Sequence, residues 1–236
     1  MKNSNGGSVN IKHQMLCAWS GVLAMVLFVL ALWPLASFIP PLSPTMTPAE
    51  VATFYQEHTN GIRIAAVIIL MVAGLNGAFA AVISVQMKRI EKVNPALTYT
   101  QMINGCVGSV IFIIPAMVWT ITAFRPDRPV EITYVLNDMA WLFFIMPFGQ
   151  LVVQCLSIGL AILSDTAAIP VFPRWIGFFN FWIALLVLPA GVVTFFKTGP
   201  FAWSGIVSFW VPAIVFGIWF IVMFVALRKA IMQQSE

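Results

Sequence analysis

An amide and a carboxyl stand side by side at Asn137 and Asp138, one turn into the apolar run TYVLNDMAWLFFIMPFGQLVVQCLSIGLAIL (133–163). Asp138 is the only acid inside a predicted span. A carboxyl there is costly unless it is paired, and it marks proton carriage, a counter-charge for a ligand or a structural ion pair. The same run carries Gln150, Gln154 and Ser157, whose spacings of four and three put them on one helical face.

Two constellations follow. The first gathers at one membrane surface. Glu57, His58 and Arg63 precede a span, Arg125, Asp127, Arg128 and Glu131 fill one loop, Lys197 another, and Trp119, Trp141 and Trp203 fall at similar depth. Three spans start on this surface, so their positive dipole ends point there and favour Asp138 near a helix N-terminus. Arg63 or Arg125 is its expected partner. Arg63, Trp119, Arg125, Asn137, Asp138 and Trp141 could form a vestibule for an amphipathic molecule, or an interfacial network that only fixes the loops. The second constellation is a polar layer inside the bundle: Asn76, Asn104, Gln150, Gln154 and Asn180. Such amides bridge helices, at roughly 0.6–2 kcal/mol each, or line a substrate path.

Other chemistry is excluded by residue type. Both histidines, His13 and His58, lie outside the spans, which removes haem and histidine-rich iron sites. A carboxylate di-iron bundle needs several acids within its helices. No P-loop, serine elbow, zinc-protease or dinucleotide motif occurs. Cys17, Cys106 and Cys155 lack CxxC spacing and read as apolar packing residues. No cofactor and no metal is expected, and the net charge of +4 belongs to loops rather than to a nucleic-acid-binding patch.

These residues need elements to hold them. Hydrophobic residues make up 61% and charged residues 8% of the 236-residue chain, and apolar runs near the ~20 residues of a membrane helix recur along it. The predicted fold is all-α: six spans at about 16–38, 62–87, 98–124, 133–163, 175–196 and 203–227. Residues 1–15 are expected to be a mobile tail and 230–236 a second tail. Pro34 predicts a kink near the exit of span one. Thr47, Pro48 and Glu50 predict a capped interfacial helix over about 48–59, with Val51, Phe54 and Tyr55 on one face and a stop at Asn60-Gly61. That helix packs on the bundle end or acts as a lid.

Ala73, Gly74, Gly77, Ala78, Ala81 and Ser84 make span two a candidate docking face for another helix, in a homo- or hetero-oligomer. Residues 113–124 and 187–196 share a Pro-Ala-x-Val-x-Thr pattern that suggests a faint repeat. Eight Lys and Arg, including Lys2 and Lys92, fall on one side against four on the other, which places both termini in the cytoplasm of a bacterial inner membrane. The residues point to a non-enzymatic bundle that binds or moves a lipophilic or amphipathic molecule, with membrane lipid as its surroundings. An accessory subunit of a larger complex is the alternative, and a lipid-modifying enzyme working through Asp138 or His58 the third.

Overall fold

A computed structural model describes residues 4–91 and 95–234. Lys2 and Lys92, counted for orientation, lie outside the described residues. Among the described residues six helices are long and apolar enough to cross a membrane, and the chain is an integral membrane protein with an all-α bundle. They are Asn10–Leu35, Thr59–Ile90, Ala96–Phe124, Val130–Leu163, Arg174–Phe195 and Ile206–Met232, here spans one to six. Among the described residues there is no strand.

The regular helices are α1 (Ser4–Leu30), α2 (Pro48–Glu57), α3 (Thr59–Ile90), α4 (Ala96–Phe124), α5 (Val130–Ile145), α6 (Gly149–Leu163), α7 (Arg174–Val187) and α8 (Val211–Met232). Several spans leave α geometry where proline removes a backbone donor. Span one ends in a π turn, Ala31–Leu35, around Pro34. Span four breaks into α5 and α6 at Met146-Pro147-Phe148, where the Phe148 amide reaches only the Met146 carbonyl at 2.8 Å. Span five tightens to a 3₁₀ helix over Leu188–Phe195, with Pro189 in its first turn. Span six opens with a π turn, Ile206–Trp210, before Pro212.

The short outer helix forms as its sequence dictates. Thr47 accepts from the Glu50 amide at 3.3 Å while the Glu50 carboxylate accepts from the Thr47 amide at 2.7 Å. Val51 and Tyr55 are buried, and Phe54 stacks on Phe38. The backbone bond from Thr47, then its hydroxyl, hold the Glu50 carboxyl below the usual glutamate range. A lowered folded value means the cap contributes above the unfolded pKa of about 4.3 and is lost as pH falls through the folded value. Amide protection of Val51 and Ala52 is therefore expected to fall several-fold below about pH 4. Glu50→Gln should flatten that dependence; an unchanged pH profile in the variant would remove the cap as its cause.

Four expectations are corrected. Asn60-Gly61 does not end the helix run: only His58 separates α2 from α3, and both residues lie inside α3. Gly61 is there because the Leu35 carbonyl lies where its Cβ would be, so the residue serves close approach to span one. The tail over 1–15 is helical from Ser4, and Gln14 is buried. Its amide joins Gln86 and also Gln234, the latter at 3.0 and 3.3 Å, while Arg89 reaches Gln86 and the Ala230 carbonyl at 2.7 Å. The second tail likewise begins inside α8, where Ala230 and Ile231 are buried. This network brings both ends of the chain to one face of the bundle, here the termini face; α2 lies at the far face. The faint repeat is not matched in backbone form, since 113–124 is regular α4 and Leu188–Phe195 is 3₁₀.

Candidate functional site

The far-face constellation is packed shut. Trp141 is 0% and Trp119 1% exposed. Phe38 folds over them, with ring centroids 4.9 Å from Trp119 and 5.4 Å from Trp141, and the two indoles lie 5.6 Å apart. The two indoles do not line an open vestibule, because the loop after span one returns across them. The Tyr55 hydroxyl donates to Asn137 Oδ1 at 3.2 Å. Burial, and then the charge of Asp138, raise the Tyr55 phenol's pKa, so it stays neutral and donates.

Arg63 does not pair with Asp138. Its Nε and Nη2 donate to the carbonyls of Ala123 and Phe124, at 3.1 and 3.2 Å, and so close the C-terminus of α4. Arg125 is exposed. Among the described residues Asp138 Oδ1, Trp119 Nε1 and Trp141 Nε1 are buried without a hydrogen-bond partner. Of the expected far-face residues, Trp119, Asn137 and Trp141 are buried together, while Arg63 turns to the end of α4 and Arg125 stays exposed. His58 stacks on Phe54 at 4.4 Å, and its Nδ1 meets the Phe54 carbonyl at 3.0 Å.

The open space lies deeper. A cavity of about 330 Å³ sits within the bundle, walled by residues of all six spans. Each helix interruption contributes to it: Leu32 and Trp33 from the first π turn, Pro147 and Phe148 from the break in span four, Ala190 from the 3₁₀ segment, and Ser208 and Phe209 from the second π turn. Irregular backbone at membrane depth is tolerated only where protein or a lined cavity surrounds it. The freed carbonyls are met from nearby: Gln150 Nε2 donates to Pro147 O, and the Ser208 hydroxyl lies 3.0 Å from Phe201 O and 3.3 Å from Pro189 O.

The expected polar layer divides. Asn76, Gln150 and Gln154 line the cavity; Asn104 and Asn180 do not. Asn104 turns back on its own helix, donating to Thr100 O at 2.8 Å. Asn180 is buried and joins spans five and six: its Oδ1 accepts from Trp219 Nε1 at 2.9 Å and its Nδ2 donates to Ile176 O at 2.9 Å. It acts on the cavity through Trp219, which forms part of the wall. Asn76 Nδ2 donates across to span three, to Gly105 O at 3.2 Å and Ser109 Oγ at 3.1 Å.

Sequence reasoning missed Pro147, and with it the break that shapes the cavity. A proline followed two residues later by glycine, inside a 34-residue span where ~20 residues suffice, is the signal that could have found it. It also missed Phe28, Phe144 and Phe216, which line the cavity beside the polar residues.

No charged or histidine side chain among the described residues lines the cavity. Among the described residues no three His, Cys, Asp or Glu side chains are grouped to hold a metal. The arrangement suits an apolar body and a few neutral hydrogen bonds. Comparison with protein-family models, curated proteins and solved structures returns no match.

Proposed function

We propose that this protein binds a lipophilic or amphipathic small molecule in the cavity at the centre of its bundle and hands it to or from the bilayer without altering it chemically. The carrying observation is the cavity itself, about 330 Å³. That is within the ~300–1,000 Å³ of small-molecule sites. Water is a poor occupant. The volume would take roughly eleven molecules at ~30 Å³ each, every one needing two to four polar partners. Besides the indole N–H groups of Trp33 and Trp219, the latter taken by Asn180, the polar side chains in the wall are Asn76, Gln150, Gln154 and Ser208.

Access comes from the side. Spans one and six meet near the termini face, where the Trp19 and Phe224 rings lie 4.7 Å apart. Towards the far face the cavity is bordered by Trp33 of span one, 63% exposed, and Ala213 of span six, also exposed. A bilayer solute enters between them. In this reading the chain sits in a bacterial cytoplasmic membrane with the termini face, and its basic residues, in the cytoplasm.

Gly108→Phe tests the reading, because Gly108 lines the cavity and only Asn76 Nδ2, at 4.0 Å, lies near a Cβ placed there. Lipophiles co-purified in mild detergent, identified and counted by mass spectrometry, should drop at least about tenfold in the variant while its melting temperature holds or rises. Equal recovery from both proteins sinks the proposal.

An accessory-subunit role is the second reading. It rests on Gly74 and Gly77 of span two, where an added Cβ meets nothing within 4 Å. A partner of different mass retained through purification, and lost in Gly74→Leu, would favour it.

A further inference from the structure

Resting on that reading, the hydrogen bonds around the cavity say what kind of molecule it takes. Four amide or hydroxyl side chains reach the wall; Asn76 and Ser208 have committed all their donors and Gln150 one of its two N–H groups. Asn76 gives its Nδ2 protons to Gly105 O and Ser109 Oγ. Gln150 gives one to Pro147 O, and Ser208 is spent on backbone carbonyls. The amide orientations follow from the partners, because Gly105 O and Pro147 O can only accept. Asn76 and Gln150 are left with their carbonyl oxygens unpartnered.

Gln154 differs from the others. It is only 6% exposed, lines the cavity and makes no hydrogen bond. It does not belong among the wholly enclosed unpartnered atoms of the bundle, so its amide is reachable from the cavity. Gly105 lets it sit there, since a Cβ on Gly105 would lie 3.0 Å from Gln154 Nε2. A buried primary amide with donor and acceptor both free is a recognition group awaiting its complement.

We propose that the cavity selects a neutral lipophile carrying a hydroxyl group, and that Gln154 is the residue that reads it. The hydroxyl accepts from Gln154 Nε2 and donates to the Gln154, Gln150 or Asn76 carbonyl oxygen. The free amide oxygens of Asn76, Gln150 and Gln154 hold more lone pairs than there are free amide N–H groups, so an alcohol fits better than a ketone, which leaves every acceptor unmet, or an alkane, which leaves acceptors and donors alike unmet. Acids and amines are disfavoured in their charged forms because no side chain in the wall carries a counter-charge. Free fatty alcohols and hydroxyl-bearing glycerides share this chemistry.

The test uses the full-length protein in lipid nanodiscs and a diazirine-bearing decanol, with adducts mapped by mass spectrometry. Unlabelled decanol, its methyl-ketone analogue, decane and a monoacylglycerol compete. The expected result is labelling at the cavity, with decanol competing about tenfold better than the ketone or decane, equivalent to about 1.4 kcal/mol. Gln154→Leu should erase that preference while decane still competes. Should the leucine variant not fold, Gln154→Met keeps the length without the amide and carries the same expectation. Gln150→Met should keep most of the preference. Monoacylglycerol competing as well as decanol assigns the hydroxyl to a glyceride source; no competition from it assigns a free alcohol. Equal competition by decanol and decane, or a preference that survives loss of the Gln154 amide, overturns the inference while leaving the cavity reading intact. Labelling that avoids the cavity overturns both.

Discussion

Trp141→Ala is expected to destabilise the bundle by about 3 kcal/mol, and Trp141→Phe by less than about 1 kcal/mol. The indole is fully buried, with Trp119 at 5.6 Å and Phe38 at 5.4 Å between ring centroids. Removing it leaves a hole that the loop over it and the two span ends close only in part. In water-soluble cores such truncations cost about 3–5 kcal/mol. Within a bilayer the transfer from water contributes less, so the lower end applies and the loss is mainly of packing contacts. Phenylalanine keeps most of the ring contacts and discards an N–H that has no partner, which offsets part of the lost area. Helicity followed while mild detergent is exchanged for sodium dodecyl sulfate measures both. Asp138→Asn belongs beside them: it should leave lipophile recovery within about twofold, because Asp138 does not line the cavity. If Trp141→Ala left stability untouched but abolished ligand recovery, the far-face cluster would be the binding site after all.

That contrast also shows what the amino acids reveal and what they hide. Span number was readable because bilayer thickness fixes helix length and most of the chain is apolar. The outer helix was readable because Thr47 and Glu50 act on backbone three residues away. Residue-level roles were not, because they depend on partners distant in sequence. Trp119 and Trp141 look like the lining of a vestibule until residues around Phe38 cover them. Arg63 looks like a counter-ion until the end of α4 presents its carbonyls. Asn180 and Gln154 are both buried amides, yet one meets Trp219 and the other meets empty space. Proline alone does not decide the breaks either: Pro115 sits inside a regular α4, while Pro147 with Gly149 parts α5 from α6. The difference lies in whether neighbouring side chains can take up the freed carbonyls around a space.

Gly159→Leu should have the other large effect, about 3 kcal/mol or more, and should also disturb the cavity. Small residues were read on span two, but a backbone-close crossing joins spans four and five. A Cβ on Gly159 would run into the Phe181 ring and lie 2.9 Å from Gly177 O; one on Gly177 would lie 3.2 Å from Gly159 O and 3.0 Å from Leu163 Cγ. Each helix therefore needs the other's glycine. Alanine at 159 tests the cause. Its methyl meets the Phe181 side chain first, so Gly159→Ala should cost about 1–3 kcal/mol alone and recover most of that when combined with Phe181→Ala. Gly177→Ala should gain nothing from Phe181→Ala, because its nearest atoms belong to Leu163 and the Gly159 backbone. The cavity follows from the same geometry. α6 carries Gln154 and Leu151 into the wall, α7 carries Val187, and Asn180 of α7 holds Trp219. Forcing these helices apart moves both walls, so Gly159→Leu protein that still folds should lose the preference for decanol over decane. A folded variant that retained it would show that the crossing stabilises the bundle without setting the shape of the cavity.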